Sequence, residues 1–308
     1  MLRRLARRLP GLRPLHTYIR ALETERDALR ADLGHWRTWM SPGHFYSPIP
    51  NAAEVRAREA ELFGDPPPAL PGIELHVERQ LALVHELARF YGELPFSRER
   101  SDATRYWYVN PAFSFGDAIV LYSMLRHLQP RRVIEIGSGY SSALMLDTRE
   151  RFLPDVELTF IDPDSSTLRS LMREGDRADV IASPVQSVPL ERFDGLEASD
   201  VLFVDSTHVA KTGSDVNRIV FDILPRLKSG VYVHFHDVFY PFEYPKEWVY
   251  EGRAWNEDYL LRAFLQFNDA FEIVLFSTYV ARFHRELLQR EMPLVLENPG
   301  GALWLRRR

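Results

Sequence analysis

The chain contains no cysteine. That excludes disulfide staples and every thiolate-ligated zinc or iron–sulfur site, and it suits a reducing cytoplasm, the location expected for the protein. Long apolar runs are also missing. Stretches such as Val201–Val204 and Ile273–Phe276 are far too short to cross a bilayer, so no transmembrane segment is expected. Charge of one sign does not dominate. Lys and Arg number 38 against 43 Asp and Glu, a formal net charge of -5, so the chain as a whole is not a nucleic-acid-binding polycation. No internal repeat recurs. What remains is ordinary globular material: 308 residues, 45% of them hydrophobic, enough for one α/β domain with additions.

The first residues are basic. Met1–Arg20 carries Arg3, Arg4, Arg7, Arg8, Arg13 and Arg20 and no acid. Pro10, Gly11 and Pro14 interrupt it, and it lacks the apolar stretch of a secretory signal. It reads as a solvated basic tail, with a surface-binding arm or a transit peptide as alternatives. From Leu15 to Met40 the pattern is helical, with Leu22, Leu29 and Trp36 seven apart. Arg26 and Asp32 stand where a strict coiled coil needs apolar groups. The helix permits a homo-oligomer without requiring one. Two Pro-rich breaks, Ser41–Pro50 and Asp65–Pro71, flank expected helices at Ala52–Leu62 and Ile73–Tyr91. Residues 1–104 are therefore expected to form a helical arm and cap, and residues 105–308 the main domain.

From Arg105 onward short apolar strands alternate with helices. A helix over Ser114–Leu128 is followed by strands at Arg132–Ile136, Leu158–Ile161, Val180–Ala182, Val201–Val204 and Gly230–Phe235. Ser141 is the expected N-cap of the helix after the first strand. The tail reads as a helix Glu257–Phe267, a strand Glu272–Tyr279, a helix Arg282–Glu291 and a strand Ala302–Leu305. The last two strands are expected to pair as an antiparallel hairpin. Such alternation predicts an α/β fold, a mainly parallel Rossmann-like sheet with helices on both faces.

In such a sheet, ligands bind beyond the carboxyl ends of the strands. Glu135, Gly137, Gly139, Asp162, Asp205, His236 and Asp237 all fall there. Glycines after the first strand allow close approach of backbone to ligand. The next helix offers free amide donors. Asp162, at the end of the second strand, can accept both hydroxyls of a ribose. A nicotinamide fingerprint would place a third glycine where Ser142 stands. The alternatives are S-adenosylmethionine (SAM), a dinucleotide, or a tight turn with no ligand, and Glu135 before the glycines favours the first.

Val133–Leu146, VIEIGSGYSSALML, resembles the first motif of class I SAM-dependent methyltransferases. Phe160-Ile161-Asp162-Pro163 resembles their second, acidic motif. Asp205-Ser206-Thr207-His208 and Val233-His234-Phe235-His236-Asp237 are similar to their fourth and fifth strand ends. The resemblance covers roughly Asn110 to Asp237 and implies a seven-stranded sheet with an antiparallel C-terminal strand. It implies that Gly137, Ser138 and Gly139 meet the methionine part of SAM, that Glu135 contacts its amino group, and that Asp162 holds its ribose. Ser183 and Gln186 would lie near the adenine, although Ser187 follows where many relatives carry an acid.

The same resemblance implies chemistry at the fourth and fifth strand ends. Catechol-type and macrolide-sugar O-methyltransferases hold a divalent cation there. Asp205, His236 and Asp237 would be the ligands, with Mg2+ or Mn2+ as the ion, and Asp205 would border the cofactor as well. A histidine in place of the usual acid or amide is a departure, and it leaves open a site with no metal and His236 itself as base. Asp205-x-x-His208 matches the spacing in which the histidine is the general base. His234 alternates with His236 and is expected on the opposite face of the strand, as a hydrogen-bonded core residue. Asp215 is the expected cap of a helix running to Leu227, and Lys211 lies in the loop before it. A run of aromatics and prolines from Phe239 to Trp255 is expected to cover the sheet edge and meet the substrate, with Tyr106, Trp107 and Tyr108 lining the same cleft. The expected activity is O-methylation of a hydroxyl on a sugar or another natural-product small molecule. An NAD-dependent oxidoreductase and a non-catalytic scaffold with a vestigial site are the alternatives. No Asn-Pro-Pro-Tyr-like motif follows the fourth strand, so a nucleic-acid substrate is not expected.

Overall fold

In the computed structural model of the chain, residues 13–35 and 39–308 are described, residues 13–16 and 30–35 by their backbone alone. The basic arm before Arg13 and Trp36 lie outside the described residues. By compactness the chain forms two units, Met1–Glu59 and Ala60–Arg308. The first holds the expected long helix, Arg13–His35, and a short helix Ala52–Ala57. Asn51 caps the latter by accepting hydrogen bonds from the Ala53 and Glu54 amides at 3.0 and 3.4 Å.

The second unit holds a seven-stranded sheet. Its strands are β1 Arg132–Ile136, β2 Glu157–Ile161, β3 Asp179–Ile181, β4 Val201–Val204, β5 Tyr232–His236, β6 Phe271–Phe276 and β7 Ala302–Arg307. Their spatial order is β3-β2-β1-β4-β5-β7-β6. The first five run parallel, whereas β7 is antiparallel to both of its neighbours, β5 and β6. The expected strands are all present. The last two do pair antiparallel, but not as a hairpin. Helices Ser277–Phe283 and Arg285–Glu291 separate them, and β7 inserts between β5 and β6 with Val233 opposite Leu305 and His234 opposite Trp304. β4 is buried along its whole length, as a central parallel strand covered on both faces must be.

Residues 60–104 pack within this same unit. Helix Val77–Ala88 lies against β6 and against helix Phe115–Leu128. Gln80, 0% exposed, joins them: its amide donates to the Leu75 carbonyl at 2.6 Å and its oxygen accepts from the Phe276 amide at 2.8 Å. Gln80→Ala strands both backbone groups in the core. It is expected to cost about 2 kcal/mol, read as a lower urea midpoint at unchanged slope. A change of only about a few tenths of a kcal/mol would show that these bonds contribute little.

The approach to the sheet is pinned by a buried charge cluster. Asp147 accepts from the Arg105 and Tyr106 amides, and its ion pair with the Arg105 guanidinium is 2.8 Å long. Glu150 and Asp176 take the remaining Arg105 donors. Arg105 thus meets three carboxylates in a site only 5% exposed, the pairing a buried guanidinium requires. Tyr106 and Tyr108 turn into the core, and Trp107 packs on Tyr140. None of the three borders the cavity described next.

Candidate active site

The turn after β1 is formed by close backbone approach. Gly137 has φ +86°, and a Cβ there would lie 1.8 Å from the Asp205 carbonyl oxygen. The Gly137 amide bonds to Ile161 and the Asp205 amide to Ile136, which locks the ends of β1, β2 and β4 together. Gly139 differs. A Cβ there would meet only the Thr167 methyl at 3.7 Å.

Helix Tyr140–Phe152 starts two residues earlier than expected, with Gly139 in the cap position in place of Ser141. Ser141 therefore lies within the first turn, and its hydroxyl donates to Glu135, as does that of Ser142. Glu135 is fully buried by these bonds and does not border the cavity. Its two oxygens tie the end of β1 to the first turn of the following helix. Burial pushes its carboxyl up to about 8, outweighing the two hydroxyl donors. The sign follows directly. Ionisation opposes folding, so stability present below about 4.5 is lost as pH rises towards 8. Glu135→Gln should remove that part of the pH dependence, so that the variant gains on wild type between pH 5 and pH 9. An equal difference between the two proteins at both pH values would show that Glu135 folds ionised.

Beyond Gly137 lies a cavity of about 490 Å³, within the usual range for small-molecule sites. It is bordered by Gly137, Ser138, Asp162, Gln186, Asp205 and Lys211, among others. Asp162 draws the turn towards β2: one oxygen accepts from the Ser138 amide and hydroxyl at 2.8 and 2.9 Å, the other from the Asp164 amide at 2.8 Å. A carboxylate offers about four acceptor positions, so capacity remains for a ligand hydroxyl. Gln186 donates across the cavity to the Gly213 carbonyl at 3.0 Å, whereas Ser183 stands aside from the lining. Ser214, not Asp215, caps the helix beyond, and Asp215 instead accepts from the Thr207 amide and hydroxyl at 2.9 and 2.7 Å. That bond fixes the loop carrying His208.

His208 is the centre of the second constellation. Its Nε2 lies 3.5 Å from Asp205 and 3.8 Å from Asp237, and its Nδ1 lies 2.9 Å from Glu257. Burial lowers its proton affinity, but bonds to Asp205 and Glu257 more than compensate and raise it to about 10. His236 is also raised: burial disfavours its charge, yet Asp205, Asp237 and Asp117 outweigh that. Asp205 is pushed up by burial and pulled further down by His236 and His208, ending below the usual carboxylate range. Asp237 ends above it, because burial dominates. Asp117, buried behind His236, is raised to about 7 for the same reason.

His234 corrects an expectation. It shares a face with His236, their rings 5.9 Å apart, because side chains alternate with period two and residues two apart point the same way. It is sandwiched between Phe203 and Trp304. Neither ring nitrogen has a hydrogen-bond partner among the described residues. Burial, with His236 beside it, holds it well below the usual imidazole range, hence neutral.

Metal ligation by Asp205, His236 and Asp237 does not fit this arrangement. Among the described residues, no group of three or more His, Asp or Glu side chains is placed to hold an ion. The carboxylate oxygens face imidazole nitrogens instead, His208 as above and His236 at 3.6 Å from Asp237.

An aromatic wall continues from this cluster. Trp255 packs on His208 at 4.4 Å, Trp248 on Trp255 at 5.3 Å and Phe239 on Trp248 at 5.2 Å. Arg253 lies over Trp248 at 4.3 Å. Phe239 and Tyr244 also border a second cavity of about 500 Å³, closed on its other side by Pro66 and Pro67. Trp255 belongs to the aromatic run expected to meet the substrate, whereas Glu257, Asn256 and Asp117 were not singled out as site residues in the sequence. Glu257-Asp258 reads there only as the acidic first turn of a helix.

A methyltransferase-domain family profile matches residues 134–238, from β1 to the residue after Asp237. An uncharacterised protein of Archaeoglobus fulgidus is 36% identical over 161 residues, which cover 51% of this chain and 73% of that protein. Among solved structures, the Podospora anserina methyltransferase PaMTH1 bound to S-adenosylhomocysteine aligns at 16% identity, covering 84% of this chain and 97% of that one, with a TM-score of 0.41. The O-methyltransferase TomG of Streptomyces achromogenes, in complex with SAM, aligns at 16% identity over 82% and 96% of the two chains, with a TM-score of 0.39. Residues 134–238, which carry β1 to β5 and the glycine turn, thus belong to the methyltransferase-domain family whose profile they match.

Proposed function

We propose that the protein transfers the SAM methyl group to a hydroxyl oxygen on a sugar or another small natural-product molecule. One observation carries this reading: two carboxylates, Asp205 and Asp237, converge on one edge of His208 beside the cofactor cavity. Methyl transfer to oxygen needs alignment of the nucleophile and a place for its proton. Asp237 suits that place, since burial makes it more basic than an ordinary carboxylate. Neighbouring carboxylates raise the proton affinity of His208 to about 10 and that of His236 above the ordinary imidazole range, which favours the charged form of both rings. An imidazolium cannot accept another proton, so both support the carboxylates rather than act as the first base. Gly137, Ser138 and Asp162 would hold the cofactor, with Gln186 towards its adenine. Bound there, SAM supplies the electrophilic methyl group. Trp248, Trp255 and Phe239 offer ring faces to a flat or sugar-like acceptor. No step passes through a metal.

The test is calorimetry with SAM, followed by incubation with labelled SAM and a panel of glycosides and polyketide or phenolic alcohols. Mass spectrometry would locate the added methyl group. A methyl ether supports the proposal. A product methylated on nitrogen would overturn the oxygen assignment, and absence of SAM binding would overturn the cofactor assignment.

A further inference from the structure

We infer that Glu257 is the residue that positions His208 for the proton transfer proposed above, and the inference rests on that reading of the site. His208 has the left-handed φ of 59°, a conformation uncommon outside glycine. Its support comes from 48 residues further along. The Asn256 and Glu257 amides both donate to the His208 carbonyl, at 3.0 and 3.2 Å. The Asn256 side chain grips Ala210 in both directions, accepting from its amide at 2.6 Å and donating to its carbonyl at 3.2 Å. These bonds hold the loop backbone, but they leave the imidazole free to rotate.

Glu257 removes that freedom. Its Oε2 accepts from His208 Nδ1 at 2.9 Å in a site where the two residues are 1% and 4% exposed. Trp255 covers one face of the ring. A ring flip would replace Nδ1 by a carbon and leave a buried carboxylate oxygen without its donor. Nδ1 is thereby committed to Glu257, and Nε2 is the nitrogen facing Asp205 and Asp237. Glu257 does not border the cofactor cavity, so it acts through His208. A carboxylate used only to cap its own helix would need no imidazole partner, and the backbone bonds to the His208 carbonyl already serve that end.

The test uses Glu257→Gln and Glu257→Ala in the full chain, with His208→Ala as reference. Glu257→Gln keeps the length and one acceptor and so guards against misfolding. Imidazole 15N NMR of the resting protein, without any acceptor, reads the ring directly. Wild type should show a hydrogen-bonded Nδ1–H at His208. Glu257→Ala should lose that signature, and Glu257→Gln should keep a weakened one. In turnover, kcat should fall about 100-fold in Glu257→Ala and about 10-fold in Glu257→Gln, the range seen when an orienting partner is removed, with the SAM Kd unchanged within about twofold. An unaltered His208 signal in Glu257→Ala overturns the inference whatever the activity. An altered signal with unchanged kcat also overturns it. Intact turnover in His208→Ala would instead overturn the proton-transfer reading, which separates the two failures.

Discussion

Gly137→Ala is expected to abolish SAM binding and to lower the melting temperature by about 10 °C. The new methyl group would sit 1.8 Å from the Asp205 carbonyl oxygen, in a backbone held at φ +86°. The left-handed conformation alone costs about 1–2 kcal/mol for an L-residue. The contact adds more, because neither backbone can retreat. The Gly137 amide is bonded to Ile161 at 2.9 Å and the Asp205 amide to Ile136 at 2.8 Å. A total near 4 kcal/mol is large for one methyl group, and it falls at the mouth of the cofactor cavity. Calorimetric titration and a thermal scan would measure both effects. Gly139→Ala is the control: its Cβ meets only Thr167, and it should melt close to wild type. Wild-type SAM affinity in Gly137→Ala would show that the strand ends are not held as described.

Asp237→Asn is expected to lower kcat about 1,000-fold, or about 4 kcal/mol in the barrier. The substitution is isosteric. Asparagine also tolerates the φ of 55° found there, so the fold should be preserved. Asp237 does not border the cofactor cavity, so the SAM Kd should stay within about twofold. What changes is the site's ability to take a proton beside His208 and His236. The check is steady-state kinetics on whichever hydroxyl acceptor the panel identifies. A loss confined to KM would make Asp237 a binding group instead of the proton acceptor.

The architecture and the cofactor end were legible in the sequence for a simple reason: their determinants are local. Arg132–Ile136 followed by Gly137-Ser138-Gly139 is contiguous, and the ends of β2, β4 and β5 are marked by Asp162, Asp205 and His236-Asp237 after apolar runs. The parts that escaped depend on long-range partners. The bonds from Ser141 and Ser142 to Glu135 could not be read from the sequence, because they depend on where the following helix begins. Asp215 reads as a helix cap until Thr207 claims it. Glu257 reads as an ordinary first-turn acid, because nothing near it in sequence points to His208. The placement of His234 was recoverable, since strand period two already puts residues 234 and 236 on one face. The insertion of β7 was not, because pairing propensity cannot say between which strands a segment lies.

That insertion has a consequence for how the chain is made. β5 and β6 flank a slot that is filled only by residues 302–307, which the ribosome adds after both. Until then two strand edges stand unpaired, each rich in apolar side chains and open to any other extended chain. The sheet cannot be completed progressively as it emerges, and its last ladder is also among its most non-local, joining Tyr232 to Arg306. The nascent protein therefore depends on a late event to protect its most association-prone surfaces, and a ribosome that stalls before β7 would release a chain primed to aggregate.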